Sequence, residues 1–209
     1  MEYFAPLLSG NEKPDFDKSP TASISSFHWE KEGYSRPESF AKLLAVEGRG
    51  IYAKLWSFEE NLRCVFTERD DPVYTDSCLE IFLMPVEGDK RYINFEVNPC
   101  GVYLSQIGEN RNERSFIREI TDVQPVITPV SFAENGRNAW GYEIFLSDEF
   151  ISSVYGTRYS TSEGIIKGNF YKCADSSVSP HYGAFFPVST AALGFHNPEC
   201  FGKIIIRKA

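Results

Sequence analysis

Apolar and polar residues alternate along two neighbouring stretches of the chain, residues 79–83 and 92–98. Successive side chains of a β-strand point to opposite faces, so the alternation predicts two strands that share one buried face. The predicted buried face consists of Leu79, Ile81, Leu83, Ile93, Phe95 and Val97. The predicted open face carries Glu80, Asn94, Glu96 and Asn98. Carboxylates and amides held on a rigid sheet suit the hydroxyl pairs of a polyhydroxylated ligand, so this face is the first candidate for a binding site.

Strand-like runs recur along most of the chain. They cover residues 24–29, 41–47, 51–56, 62–68, 79–83, 92–98, 102–106, 126–132, 140–145, 168–173, 183–188 and 203–207. Turn-forming residues separate several of these runs, at 47–50, 87–90, 98–101 and 134–137. Turns of this composition favour antiparallel hairpins.

The predicted fold is all-β with one short helix. Ser147 can cap a helix at residues 147–155, and Gly156 can end it. About a dozen short strands with so little helix to cover them indicate an antiparallel two-sheet β-sandwich of the jelly-roll or immunoglobulin-like type. The chain has 209 residues, of which 42% are hydrophobic. We therefore expect one domain at residues 21–209, preceded by an irregular lead-in at residues 1–20.

The charge balance narrows the classes of partner. The chain has 29 acidic and 21 basic residues and a formal net charge of -8. A protein of this charge repels phosphate backbones and anionic lipid surfaces. No apolar stretch approaches the length of a membrane span. We therefore expect neither nucleic acid nor a membrane as a partner.

The cysteines and the first residues of the chain bear on its compartment. The five cysteines, at positions 64, 78, 100, 173 and 200, form no CxxC pair. An odd number in a chain of this size is typical of reduced thiols that pack as small apolar residues. The first residues lack the basic start and apolar run of a signal peptide. These features predict a cytoplasmic protein, or a secreted one if a signal peptide has been removed.

Four blocks of sequence, in this order and spacing, resemble the family 9-like carbohydrate-binding modules. They lie at residues 71–82, 92–99, 168–172 and 195–202, and a fainter likeness extends over residues 23–207. The resemblance implies a β-sandwich related to the DOMON domains. It also implies a non-catalytic function, the binding of a mono- or oligosaccharide.

The resemblance also implies positions for the sugar contacts. Two tryptophans of the family hold the sugar ring, and Tyr74 and Phe195 stand at the matching positions of this chain. The family's polar contacts fall on Glu80, Glu96, Asn98 and Tyr171. At the position of Glu96 classical members carry an arginine, so an acceptor stands where they have a donor. From its place in a predicted loop beside Phe195, His196 is a further candidate donor to a ligand.

Other interpretations of the same residues stay open. Tyr74 and Phe195 could pack against the protein, and the polar side chains could satisfy one another. Glu80 and Glu96 could instead form the acid and base pair of a glycan-active enzyme. A DOMON-type haem site would need Met84 together with His181 or His196. The chain could also be a structural or interaction module that has lost sugar binding.

No metal or cofactor is expected from the spacing of the ligand residues. The three histidines stand far apart at positions 28, 181 and 196 and form no zinc motif. The acidic loop at residues 70–76 could hold a structural calcium ion, although it lacks the spacing of an EF-hand. A saccharide is therefore the only ligand that we expect.

Overall fold

The computed structural model describes residues 1–208, and most of its ordered elements are strands. The fourteen strands are β1 Glu2–Leu8, β2 Ala22–Ser23, β3 Ser26–Phe27, β4 Glu38–Val46, β5 Gly50–Phe58, β6 Cys78–Met84, β7 Tyr92–Val97, β8 Tyr103–Gly108, β9 Arg114–Phe116, β10 Val126–Glu134, β11 Arg137–Ser147, β12 Gly164–Cys173, β13 Tyr182–Ala184 and β14 Gly202–Arg207. Four single 3-10 turns lie at Phe16–Lys18, Val73–Thr75, Ile117–Glu119 and Pro198–Cys200.

The predicted helix is confirmed as α1, Asp148–Tyr155. The Ser147 side chain accepts a hydrogen bond from the backbone N–H of Phe150. Gly156 ends the helix in the left-handed conformation, where a residue without Cβ is favoured. No helix within residues 1–208 combines the length and the apolar character of a membrane span.

The strands form one curled, mixed sheet. Eleven of them are hydrogen-bonded in the order β10-β11-β5-β4-β1-β14-β12-β6-β7-β8-β9, and β2, β3 and β13 pair beside this path. All pairs are antiparallel except those of β1, which lies parallel to both β14 and β4. The expectation of a purely antiparallel sheet is therefore wrong at β1. The two halves of the path pack against one shared apolar core, as the layers of a sandwich do.

The core forms where the alternation predicted it. All six apolar side chains predicted for the buried face of β6 and β7 are at most 1% exposed. They pack against residues from β4, β5 and β11 and against Phe150 and Ile151 of α1. This packing fixes the orientation of β6 and β7, and it therefore also fixes where their remaining side chains point.

The irregular lead-in predicted for residues 1–20 is wrong for residues 2–8. Glu2 to Pro6 of β1 pair with β14, whereas Leu7 and Leu8 pair with β4. Pro6 interrupts a strand-like pattern in the sequence, because proline has no N–H for the sheet. In the structure Pro6 stands at the point where β1 changes from one neighbour to the other, so the missing donor is tolerated there.

One segment predicted as a strand is irregular and carries a disulfide bond. Residues 62–68 have no regular secondary structure. Cys64 of this segment is bonded to Cys100, which follows β7. The expectation of five reduced thiols is therefore wrong for these two cysteines, whereas Cys78, Cys173 and Cys200 are free. Disulfides persist in oxidising compartments, so this bond argues against the cytoplasmic location, which stays a prediction.

Replacing both Cys64 and Cys100 by serine should lower the free energy of unfolding by about 3 to 4 kcal/mol, since the bond closes a loop of 36 residues. Denaturant unfolding of the variant and the native chain measures the difference. The matched control is Cys200→Ser, which removes a free and half-buried thiol and should change stability far less. Equal stability of the double variant and the native chain would contradict the bond.

Candidate functional site

The polar face of β6 and β7 is covered rather than open. Glu80, Asn94, Glu96 and Asn98 are each at most 2% exposed. A second apolar cluster lies over this face, built from β6, β7, β8, β12, β13 and the segments before β6 and β14. Its buried members are Val73, Cys78, Phe82, Tyr92, Leu104, Tyr171, Cys173, Ala184, Val188, Phe195 and Phe201. The expectation of an open face is therefore wrong, because these loops cover most of it.

The cover leaves one cleft that reaches the two glutamates. The cleft has a volume of about 130 Å³. Its lining consists of Tyr74, Glu80, Glu96, Leu104, Gln106, Arg111, Arg114, Cys173, Asp175, Tyr182, Leu193, Gly194, Phe195 and His196. One water molecule occupies about 30 Å³ in the liquid, so the volume corresponds to about four water molecules and is too small for several sugar rings.

The two predicted aromatic residues line the same cleft but differ in exposure. Tyr74 lies in the 3-10 turn Val73–Thr75 before β6 and is 40% exposed. Phe195 is only 6% exposed, because its ring stacks on the Tyr171 ring with centroids 4.2 Å apart. Tyr74 therefore offers a free face to a ligand, whereas Phe195 contributes a rigid wall.

Two of the predicted contact residues do not line the cleft. The Asn98 side-chain amide donates to the backbone oxygen of Phe66 and to Asp76, and its oxygen accepts from the backbone N–H groups of Cys100 and Val102. Tyr171 is completely buried behind Phe195. Asn98 thus fixes the loops beside β7, and Tyr171 supports the wall of the cleft.

Glu80 and Glu96 form a carboxyl pair at the floor. They lie directly opposite each other in the β6–β7 pairing. Burial raises the pKa of Glu80 well above its usual value, and the nearby Glu96 adds to this. Burial likewise raises the pKa of Glu96, to about 7. Two carboxylates in this position repel each other, so at neutral pH the pair keeps at least one proton.

A guanidinium and an imidazole complete the polar lining. Arg114 of β9 donates from one nitrogen to Asn94 and to Nε2 of His196, at 3.4 and 3.1 Å. Nε2 therefore accepts, and the proton of His196 resides on Nδ1, which donates to the Tyr92 hydroxyl at 3.0 Å. Burial, with the positive charge of Arg114, lowers the pKa of His196 to about 2 and keeps the ring neutral.

Sequence reasoning missed several members of the lining, above all Arg111, Arg114, Asp175 and Tyr182. Arg114 follows a turn and begins a strand of only three residues, which no periodic pattern marks. Within residues 1–208, neither Arg111 nor Arg114 forms an ion pair with a carboxylate. Both arginines therefore have further donors for a ligand, although Arg111 already donates to the backbone oxygen of Leu193 and Arg114 to Asn94 and His196.

His181, named for the haem interpretation, and two aspartates of the loop named for calcium make contacts within the protein. Both ring nitrogens of His181 are used, since Nε2 lies 2.8 Å from the buried Lys172 ammonium and Nδ1 lies 3.0 Å from the backbone oxygen of Ser179. In the loop at residues 70–76, Asp70 accepts from the backbone N–H of Ser105 and Asp76 accepts from two backbone N–H groups. These contacts weigh against a metal ion at either place.

Comparison with known proteins agrees with this geometry. The family model described as "Carbohydrate-binding family 9" matches residues 10–206. No protein of curated function matches the chain significantly. A crystal structure from Bacteroides uniformis, described as a candidate carbohydrate-binding protein, has 23% identity and a TM-score of 0.79, and the match covers 99% of both chains.

Two further solved structures are family 9 modules from Caldicellulosiruptor kristjanssonii. The module in complex with glucose has 12% identity and a TM-score of 0.61, with coverage of 100% of this chain and 97% of that chain. The module in complex with cellotriose has 13% identity and a TM-score of 0.60, with coverage of 100% and 95%. At these identities the likeness shows a common fold.

Glu96→Gln should remove part of the pH dependence of stability. The folded chain holds the Glu96 proton up to about pH 7, whereas the unfolded chain releases it near pH 4.5. The contribution of Glu96 to the free energy of unfolding is therefore fully present below pH 4.5. It is lost as the pH rises through 7, and this loss amounts to roughly 3 kcal/mol. Urea unfolding of both chains below pH 4.5 and above pH 7 measures this change in the free energy of unfolding. The control Glu32→Gln replaces an exposed glutamate and should keep the pH dependence of stability of the native chain. If Glu96→Gln also kept the native pH dependence, Glu96 would not be its source.

Proposed function

Because the chain belongs to carbohydrate-binding family 9, we propose that the cleft between Tyr74 and Phe195 binds one ring of a mono- or oligosaccharide. The observation that carries the proposal is the cleft itself. It combines the volume of one sugar ring with an exposed aromatic side chain and a floor of polar groups. Sugar-binding structures of the same fold support it, since the modules of C. kristjanssonii were solved with glucose and with cellotriose.

The aromatic side chains supply the apolar part of the binding. The faces of a sugar ring carry C–H groups, which gain dispersion energy against an aromatic ring. Tyr74 can meet such a face with its exposed side, while Phe195 limits the width of the cleft because Tyr171 holds it in place. Tyrosine and phenylalanine offer less area than the tryptophans of the family, so the affinity should be lower.

The polar groups supply both donors and acceptors for sugar hydroxyls. A protonated carboxyl at Glu80 or Glu96 has one donor and further acceptor positions, and Gln106 has an amide. Arg111 and Arg114 add charged donors, which make stronger hydrogen bonds than neutral ones. The floor can therefore hold the hydroxyl pairs of a sugar with fixed geometry.

The proposed binding is non-catalytic. Glycoside hydrolysis requires two carboxyl groups on opposite sides of the scissile bond, one of them ionised. Here Glu80 and Glu96 are paired with each other on adjacent strands, and burial favours the protonated form of both. Glu80 also accepts a hydrogen bond from the Cys173 thiol at 2.9 Å. Both carboxyl groups therefore lie on one side of any ring that enters the cleft.

Tyr74→Ala should weaken binding of glucose or cello-oligosaccharides by about 1 kcal/mol, or roughly fivefold in Kd, because the exposed ring is lost. Titration calorimetry at millimolar sugar measures the change. The matched control is Phe4→Ala, since Phe4 is also 40% exposed but lies on β1 outside the cleft lining. Equal weakening by the two variants would contradict a role for Tyr74. A native chain that binds nothing on a broad glycan array would refute the proposed function.

Purified native chain should not hydrolyse aryl glycosides, because Glu80 and Glu96 lie side by side on adjacent strands and not on opposite sides of the cleft. Release of nitrophenol from a panel of nitrophenyl glycosides tests this expectation, with Glu80→Gln as the paired variant. Turnover by the native chain that disappears in Glu80→Gln would establish an enzyme and overturn the non-catalytic assignment.

A further inference from the structure

Three side chains with metal-binding atoms meet at the inner end of the cleft. Cys78 and Glu80 are two residues apart on β6 and point to the same face. Cys173, the last residue of β12, lies directly opposite Cys78 in the β6–β12 pairing. The two sulfur atoms and a carboxylate oxygen of Glu80 all lie within 4.8 Å of one another. We propose that Cys78, Cys173 and Glu80 form a binding site for a thiophilic metal ion such as Zn²⁺.

The donor set selects the class of metal. Two thiolates and one carboxylate suit borderline and soft cations such as Zn²⁺ and Cd²⁺. Hard cations such as Ca²⁺ and Mg²⁺ prefer oxygen ligands. Three protein ligands also leave a fourth position of a tetrahedral site for water or for an exogenous ligand. Glu80 and Cys173 line the cleft, so this fourth position can open towards it.

The surroundings of the three ligands carry charges of both signs. Glu96 lies opposite Glu80 and Asp175 also lines the cleft, whereas Arg111 and Arg114 line the same cleft and Lys172 precedes Cys173 on β12. Without a cation, burial raises the pKa of the Cys78 thiol to about 12 and raises the pKa values of Cys173 and Glu80 as well. A divalent cation allows these groups to ionise, and each ligand then releases its proton.

The backbone already holds the ligands in place. Cys78, Glu80 and Cys173 are at most 2% exposed and belong to the centre of the sheet, so their positions vary little. The Cys173 thiol lies 2.9 Å from Glu80 Oε1 and 3.5 Å from the backbone oxygen of Tyr74. A metal ion would replace the hydrogen bond between Cys173 and Glu80 by two bonds to the metal. The backbone positions of the three ligands are thus set before a metal ion binds, and their side chains need only move apart slightly.

Co²⁺ is the probe for the test, since tetrahedral Co²⁺ with thiolate ligands gives a charge-transfer band in the near ultraviolet and strong visible bands. The full chain, kept free of oxygen, should bind one equivalent of Co²⁺ with these bands, and Zn²⁺ should displace it. Cys78→Ser and Cys173→Ser should each lose the charge-transfer band. The matched control Cys200→Ser removes the remaining free thiol and should retain it.

The experiment can overturn the proposal even when a variant fails to fold. Absence of a thiolate-to-cobalt band from the folded native chain at millimolar Co²⁺ refutes the site. A band that depends on Cys200 instead of Cys78 and Cys173 refutes it as well. Titration of thiols in the unfolded chain should find three, and a count of one would show that Cys78 and Cys173 are bonded to each other, which also refutes it. The test uses no sugar, so its result is independent of saccharide binding.

Discussion

Strands β6 and β7 and residues 168–173 of β12 are buried on both faces, and this double burial determines the properties of the cleft. One face packs into the main core, and the other lies beneath the second apolar cluster. Polar residues on the second face can reach solvent only where the cover is interrupted. Glu80 and Glu96 therefore lie in a setting of low polarity, where a carboxyl group keeps its proton and a hydrogen bond to it is stronger than in water. The same burial holds the side chains in place before any ligand arrives.

The sequence predicted those parts of the fold that depend on local pattern. The alternation at Leu79 and Ile81 was sufficient to predict the buried face of β6 and β7. The helix could be predicted from its capping residue Ser147 and its terminating residue Gly156. The cover over the polar face depends on contacts between distant segments, such as Phe195 with Tyr171, and no local pattern encodes them. A signal was nevertheless present, because Phe82 and Tyr92 stand among the polar residues of that face and indicate that it packs against something.

The site was predictable to a smaller extent than the fold. The resemblance led to Tyr74, Glu80, Glu96 and Phe195, and the predicted loop beside Phe195 led to His196; all five line the cleft. Tyr171 lies on β12 as predicted and Asn98 directly follows β7, but both side chains serve the protein's own structure. Arg114 was missed because it reaches the face from β9. Its guanidinium contacts Asn94, so a donor is present near Glu96 although the family's arginine is absent.

The position of β1 has a consequence for the order in which this protein can fold. Residues 2–6 at one end of the sequence are hydrogen-bonded to residues 203–207 at the other, and the same strand continues to β4. Contacts between residues so far apart in sequence close a loop of almost the whole chain, which costs entropy and slows folding. During synthesis β1 cannot complete its hydrogen bonds until β14 has left the ribosome. The two halves of the sheet can therefore be joined through β1 only after residues 203–207 have been synthesised.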